Sequence, residues 1–245
     1  AENWVGARAA HTKSWDGAVS SLQHVGLAYD LGNDKKIQFR QYFFYNYTDA
    51  AKTNETELGD HVVKYSDAKA LKLGDADMSF EARMYIPGSE YAREAGKYEL
   101  RLSETVAQQF SSKFSVEYSL NTRLYTYSSD SAGQRGLRVI PAVQAKYAAN
   151  KVFTPYISAY TDSSWYNRGL GKNLFGSRAG TQMSADSKSS NTDAFGTDIG
   201  TEIALTDNIG LDLYLETEKD LRSAGAFDVA NEDLNTYNLV FSASL

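Results

Sequence analysis

The chain of 245 residues contains no cysteine, which excludes disulfide bonds and any cysteine-based metal or redox centre. Proline is scarce, with 3 residues, and no segment approaches the ~20 consecutive apolar residues of a membrane-spanning helix. The net charge of -6 gives no indication of a nucleic-acid partner. These deficits exclude several classes of protein, but they do not by themselves identify a fold.

Aromatic residues, in contrast, are abundant. They make up 13% of the chain and include 17 tyrosines, although the mean hydropathy of -0.46 shows that the chain is polar on average. Aromatic side chains are enriched in strands, and proline is depleted there. The composition therefore favours long β-strands over helices.

Apolar and polar residues alternate strictly along many segments. In the clearest one, one face is aliphatic and the other is small, acidic or aromatic: Ile209, Leu211, Leu213 and Leu215 against Gly210, Asp212, Tyr214, Glu216 and Glu218. A period of two is the pattern of a β-strand with one apolar face. The same pattern recurs at 37–47, 78–86, 114–124, 137–147, 194–205 and 237–245.

A soluble β-sandwich also alternates, but two features favour a membrane barrel. Sandwich strands run for about five or six residues, whereas these segments have the length of a tilted strand that crosses a bilayer. The apolar faces also carry aromatic residues near both ends, as membrane interfaces favour. One set is Tyr29, Phe114, Tyr147 and Phe153, and the other is Tyr45, Tyr47, Tyr98, Phe195 and Tyr237.

Long and short connections alternate along the chain, and both ends of such a barrel lie in the periplasm, so the number of strands is even. The sequence therefore predicts one domain, residues 1–245, formed by an all-β transmembrane antiparallel up-and-down barrel with short periplasmic turns and longer extracellular loops. We expect twelve strands, at 4–12, 20–31, 36–48, 61–73, 77–87, 97–104, 113–127, 136–147, 152–162, 194–205, 209–219 and 234–245.

Two parts of this assignment are difficult. The segment 61–73 has no clean face, because Asp67 and Lys69 share a side with its apolar residues. A bulge reconciles this pattern, and so does a ten-stranded barrel with a long loop. Pro141 and Pro155 each remove a ladder hydrogen bond from a sheet without free edges, unless they sit at bulges.

The final strand alternates up to the last residue, with Tyr237, Leu239, Phe241, Ala243 and Leu245 on one face. Barrels inserted by the outer-membrane assembly machinery typically end in such a strand, with a terminal aromatic residue where this chain has Leu245. The whole chain thus resembles bacterial outer-membrane porins. In architecture it is most similar to the small twelve-stranded monomeric porins of the oligogalacturonate-specific type, which implies a monomer that passes small hydrophilic solutes.

If the apolar face meets lipid, the alternate residues line the lumen. The predicted basic lining is Arg8, Arg40, Arg83, Arg101, Arg123, Arg138 and Lys146. The predicted acidic lining is Glu81, Glu99, Glu117, Asp198, Glu202, Asp212 and Glu216, and the late strands contribute no cation. A cation-bearing arc and an acidic arc would screen solutes by charge, and because the two nearly balance we expect weak selectivity.

These charges are compatible with an open pore and with a packed plug. In a plug, the early carboxylates would pair with the early arginines: Glu81, Glu99 and Glu117 with Arg83, Arg101 and Arg123. Twelve strands enclose roughly 25 Å of backbone diameter, more than side chains alone fill, which favours an open pore. The loop 163–193 either folds inward or covers the outer mouth.

Two other classes of function remain as alternatives. A closed structural or adhesive barrel would bind a partner through its extracellular loops. An outer-membrane hydrolase would need a nucleophile, a base and an orienting group; His11 with Ser14 is the nearest pairing, and no orienting group follows. We therefore expect no enzymatic activity, no cofactor and no metal site.

The first residues, Ala1-Glu2-Asn3, resemble the end left by signal-peptide cleavage. We therefore expect an exported protein of the bacterial outer membrane. Its surroundings would be the lipid bilayer and lipopolysaccharide, and its cargo small hydrophilic solutes.

The order of long and short connections predicts which segments face the cell exterior. Cysteines introduced singly at Ser131, Ser187 and Ser223 should react with an impermeant maleimide on intact cells, because these residues lie in long connections. A cysteine at Asp207, in a short turn, should not react. Labelling at Asp207 alone would reverse the topology, and labelling at all four positions would contradict the strand assignment.

Overall fold

The computed structural model describes residues 2–10, 19–46, 56–74, 76–128, 134–166, 192–206, 209–220 and 235–244. The four positions proposed for maleimide labelling lie outside the described residues, as does most of the connection 163–193.

Strands account for nearly all of the described chain, as the alternating pattern predicts. In chain order they are β1 (Glu2–Ala10), β2 (Val19–Gly32), β3 (Lys35–Asn46), β4 (Thr56–Leu73), β5 (Ala76–Ile86), β6 (Tyr98–Gln109), β7 (Phe114–Thr126), β8 (Arg135–Tyr147), β9 (Phe153–Tyr166), β10 (Thr192–Thr206), β11 (Ile209–Asp220) and β12 (Asn235–Ser244). The largest differences from the expected bounds are the earlier start of β4 and the later end of β6.

Each strand pairs antiparallel with its neighbours in sequence. The first strand also pairs with the last, Glu2 lying opposite Ser244 and Ala10 opposite Thr236, so the order of strands is that of a closed barrel. The predicted all-β, antiparallel, up-and-down architecture is confirmed.

The apolar face of the sheet is exposed, which is the reverse of a soluble protein. Leu27 is 76% exposed, and Ile157 and Leu205 are each 54% exposed. Monomeric soluble proteins rarely expose continuous apolar surface of this extent. At the short-turn end, Phe114 lies opposite Tyr147 on the same face, and both rings are exposed. This arrangement is typical of a lipid-facing surface with an aromatic border.

The irregular pattern of β4 has a local cause. Asp67 lies opposite Phe80 and Leu71 lies opposite Met78, so β4 contains two more residues than β5 over this interval. Within the widened segment, Lys69 forms a 3.0 Å ion pair with Asp34 of the β2–β3 turn. The bulge expected from the sequence is therefore present, and it places the charged residues beside a turn.

The two prolines are accommodated without bulges. No register shift occurs at Pro141 or Pro155. Instead, the β8–β9 pairing is interrupted between Val139 and Ala142, so no backbone N–H is needed at Pro141 to pair with β9. Pro155 lies just beyond the last pair of the same ladder, Lys146 with Tyr156. An interrupted ladder thus accommodates a missing N–H without an extra residue.

The connection between β5 and β6 contains a short helix, α1 (Glu90–Ala95), where the sequence predicted only a loop. Ser89 caps its first turn, because its Oγ accepts from the Ala92 amide at 3.3 Å. Gly96 ends the helix in a left-handed conformation, with φ of 54°. Across the described ranges, no helical segment is both long enough and apolar enough to span a bilayer.

The exposed apolar face predicts a depth-dependent cost for a buried charge. Leu213 lies near the middle of β11, and replacing it with arginine should lower the free energy of unfolding in lipid vesicles by about 2–4 kcal/mol. The control is Leu205→Arg at the end of β10, where the cost should be about 0–1 kcal/mol because the side chain reaches the interface. Equal costs at the two positions would contradict a lipid-facing assignment.

Candidate pore-lining site

Several hydrogen bonds pass over an intervening strand, and they identify the concave face of the sheet. Lys146 of β8 donates to Glu202 of β10 at 2.9 Å, and Tyr156 of β9 donates to Asp212 of β11 at 3.0 Å. In a curved sheet, side chains two strands apart converge only on the inner side. The polar residues of the alternating pattern therefore lie on the concave face.

A continuous row of cations crosses five neighbouring strands on this face. Successive residues lie directly opposite one another: Lys64 opposite Arg83, Arg83 opposite Arg101, Arg101 opposite Arg123, and Arg123 opposite Arg138. We call these five residues the basic ladder. Like charges directly opposite each other destabilise a sheet. Either nearby anions compensate the ladder, or its positive charge serves a function that offsets the loss of stability.

Three carboxylates compensate the ladder in part, and all of them lie on its own strands or the next. Glu81 contacts both Lys64 and Arg83. Glu99 accepts from Arg101 Nη2 at 2.8 Å, and Asp162 accepts from Arg138 Nε at 2.8 Å. Four of the five ladder cations thus contact three carboxylates.

Arg123 differs from the rest of the ladder. Its Nε donates at 2.7 Å to the neutral Asn121 Oδ1, and among the described residues it forms no ion pair. The side chains of Arg101 and Arg138 flank it in register. Positive charge is therefore least compensated at Arg123, three residues before the end of β7.

The pairing of Glu117 considered for a plug was wrong. Glu81 contacts Arg83 and Glu99 contacts Arg101, as expected, but Glu117 contacts Lys146 at 3.3 Å. Lys146 also holds Glu202, so one ammonium group joins β7 to β10.

Four carboxylates on β10 and β11 form a second arc, which we call the acidic wall. Asp198 lies opposite Glu216, and Glu202 lies opposite Asp212. Neutral hydroxyl groups supply many of its hydrogen bonds. Ser158 donates to Asp198 at 2.6 Å, whereas tyrosines of β9 donate to Asp212 and Glu216. Lys146, which contacts Glu202, supplies the ion pair described for this wall.

Two predicted basic residues lie apart from the ladder. Arg40 is buried, and its Nη2 donates to Gln38 of the same strand at 2.5 Å. The backbone of Arg8 pairs with Asn238, but its side chain lies outside the described part of the structure. Among the described residues, no group of His, Asp and Glu has the arrangement of a metal site.

The loop that carries α1 is attached at both ends above the ladder strands. Asp60 of β4 accepts from the Ser89 amide at 3.2 Å and from Ser89 Oγ at 3.0 Å. At the other end, the Ser128 amide donates to Gly96 at 3.1 Å. Burial, followed by the nearby phenol of Tyr91, raises the pKa of Tyr127 to about 12, so this phenol stays neutral near the end of β7.

No protein-family model matches the chain, and no curated protein matches it. An outer membrane channel from Pseudomonas putida F1 has a similar structure, with a TM-score of 0.61 and 11% identity over 99% of this chain and 93% of the other. The NanC porin has a TM-score of 0.53 and 12% identity over 100% and 99% of the two chains. The chain has the fold of an outer-membrane porin. The KdgM porin is also similar, with a TM-score of 0.49 and 11% identity over 99% of each chain.

Sequence reasoning missed the partners that hold the charged residues. Lys64 was obscured by the irregular pattern of β4, and Asp162 by an expected strand end at that residue. Sequence reasoning also assigned no role to the tyrosines of β9. A signal was present, because Gly196 and Gly200 occupy the concave face of β10 at the spacing of Tyr156 and Tyr160.

Lys146 joins two carboxylates that lie three strands apart, so its removal should destabilise the wall. Lys146→Met should lower the free energy of unfolding in vesicles by about 1–3 kcal/mol, because Glu117 and Glu202 lose a charged donor. The control is Lys151→Met in the exposed β8–β9 turn, which should change stability by no more than about 0.5 kcal/mol. Equal values for both variants would show that water replaces the ammonium group without cost.

Proposed function

We propose that the chain is a channel of the bacterial outer membrane for the passive diffusion of small hydrophilic solutes and ions. The supporting observation is the separation of the basic ladder from the acidic wall on the concave face. Two of the pairs considered for a plug are present, Glu81 with Arg83 and Glu99 with Arg101, but each joins neighbours of one strand along the wall. The third pair is absent from the described contacts, because Glu117 contacts Lys146 and Arg123 contacts Asn121.

The two arcs would act on a solute in opposite senses. The ladder presents guanidinium groups, which stay charged at any working pH and donate to anions or acidic groups. The acidic wall attracts cations. Between them a water-filled lumen would hold a transverse field, so we infer weak selectivity among simple ions and preferential alignment of dipolar solutes.

The surroundings follow from the same proposal. A barrel with this exposed apolar face would lie in the outer membrane, in contact with the bilayer and with lipopolysaccharide, after removal of an export signal. We propose a monomeric unit, since the twelve strands of one chain form the whole sheet, and we expect neither a cofactor nor enzymatic activity.

Bilayer recordings in a salt gradient test both arcs. Neutralising Arg101 and Arg123 together with glutamine should shift the reversal potential toward cation selectivity, because the ladder loses two positive charges and one of them, Arg123, has no carboxylate partner among the described residues. Neutralising Asp212 and Glu216 with asparagine and glutamine should shift it the other way. Both shifts should fade at 1 M salt, where the Debye length is only about 3 Å.

Lys151→Gln, in the exposed turn, is the matched control and should leave the reversal potential unchanged. A refolded barrel that carries no current would overturn the channel proposal and favour a closed barrel that binds a partner through its loops. Current that ignores both sets of substitutions would overturn the assignment of the arcs as the selectivity elements.

A further inference from the structure

Two tyrosines of β9 lie across β10 and end at carboxylates of β11. The Tyr156 hydroxyl lies 3.0 Å from Asp212 Oδ1 and 3.2 Å from Asp212 Oδ2. The Tyr160 hydroxyl lies 2.9 Å from Glu216 Oε1 and 3.1 Å from Glu218 Oε2. Each phenol therefore reaches past a whole strand to hold the acidic wall.

This reach depends on two glycines of β10. Gly196 lies opposite Tyr160, and Gly200 lies opposite Tyr156. A Cβ on Gly196 would overlap the Tyr160 ring, and a Cβ on Gly200 would lie 2.7 Å from Tyr156 Cζ. Both rings thus lie flat in slots that only glycine leaves open.

We propose that Tyr156 and Tyr160 are positioning residues that determine the charge selectivity of the pore, because they hold the carboxylates of Asp212 and Glu216 against the wall. The inference rests on the proposed channel function and names residues through which it is tuned.

A held carboxylate acts on a permeating ion less strongly than a mobile one. The hydroxyl donor occupies part of its acceptor capacity, so fewer lone pairs remain for a passing cation. The side chain is also kept at the wall, whereas a released Glu216 could extend into the lumen. A displacement of a few ångström matters, since the interaction of two charges falls with distance and is screened over about 8 Å at physiological salt.

The positions of the two phenols also affect the balance between anion and cation selectivity in the pore. Arg123 of the ladder contacts a neutral amide, whereas Asp212 and Glu216 of the acidic wall accept from neutral hydroxyls. In the ladder, Arg101 lies over the Tyr85 ring at 4.6 Å. The acidic wall is held by the hydroxyls of rings that lie flat on the barrel wall. Release of its carboxylates would therefore shift the balance toward cations.

The primary test is Tyr160→Phe, alone and together with Tyr156→Phe, in planar bilayers under a salt gradient. Each variant keeps the ring in its slot and removes only the hydroxyl donor. The cation-to-anion permeability ratio should rise by about twofold per site, the size expected when a screened unit charge moves a few ångström. Tyr118→Phe, on the exposed face of β7, is the matched control and should leave the ratio unchanged.

Two further variants separate positioning from a general loss of structure. Gly196→Ala keeps the Tyr160 hydroxyl but displaces the ring, so it should raise the ratio in the same direction. On a Glu216→Gln and Glu218→Gln background, Tyr160→Phe should have no further effect, because no charge remains to be released. The electrophoretic shift of folded against heated barrel verifies that each variant is folded.

The outcomes distinguish the inference from the function on which it rests. Absence of current in the unsubstituted barrel would overturn the channel itself. Current with an unchanged ratio in folded Tyr160→Phe and Gly196→Ala would overturn the role of the tyrosines and leave the channel intact. A shift that persists without Glu216 and Glu218 would also overturn it, since the tyrosine would then act independently of those carboxylates.

Discussion

Backbone hydrogen bonding is the constraint on which the rest of this structure depends. In hydrocarbon no water is available to an unpaired N–H or C=O, so a sheet that spans the bilayer must satisfy these groups between its own strands. Pairing of β1 with β12 meets that requirement at what would otherwise be two open edges. The arrangement also leaves one face to lipid and the other to water, and strict alternation in the sequence follows from it.

The concave face carries a different constraint, which is the repulsion of like charges held in register. Arg83, Arg101, Arg123 and Arg138 lie opposite one another because the strands that carry them pair without a shift. Their partial compensation comes from carboxylates on nearby strands. In the acidic wall, the described contacts of the carboxylates are with neutral hydroxyl donors and with one lysine. The charge pattern is thus maintained by local contacts along the wall.

The alternation made the fold and most strand positions predictable from the sequence. Ile209 and Leu215 identify the outer face of β11 without any knowledge of its neighbours, because period two assigns every residue to one of two faces. Pairs in register were not predictable to the same degree. Whether Arg101 lies opposite Arg123 depends on the register of β6 and β7. That register is determined by the length of the turn between them and not by the alternation of residues.

The helix α1 and the tyrosine contacts escaped prediction for a related reason. One short helix has too few residues to show a period, and its boundaries depend on Asp60, which lies far away in sequence. The contact of Tyr160 with Glu216 passes over β10, so it appears only when three strands are placed side by side. Sequence reasoning that treats one strand at a time cannot identify it.

The widening of β4 between Asp67 and Leu71 has a consequence for how such a barrel changes during evolution. Two additional residues are present on β4, and the apolar residues on either side of them still share one face. Insertion of an even number of residues leaves each later side chain on its original face. Insertion of an odd number would move every later side chain of that strand from the lipid face to the water face, or the reverse, unless a compensating bulge followed. Single-residue shifts also occur in this barrel, at strand ends between Asp30 and Gly32 and between Ala204 and Thr206. Strands of this architecture should therefore tolerate steps of two within a strand and single steps near its ends, where few side chains follow.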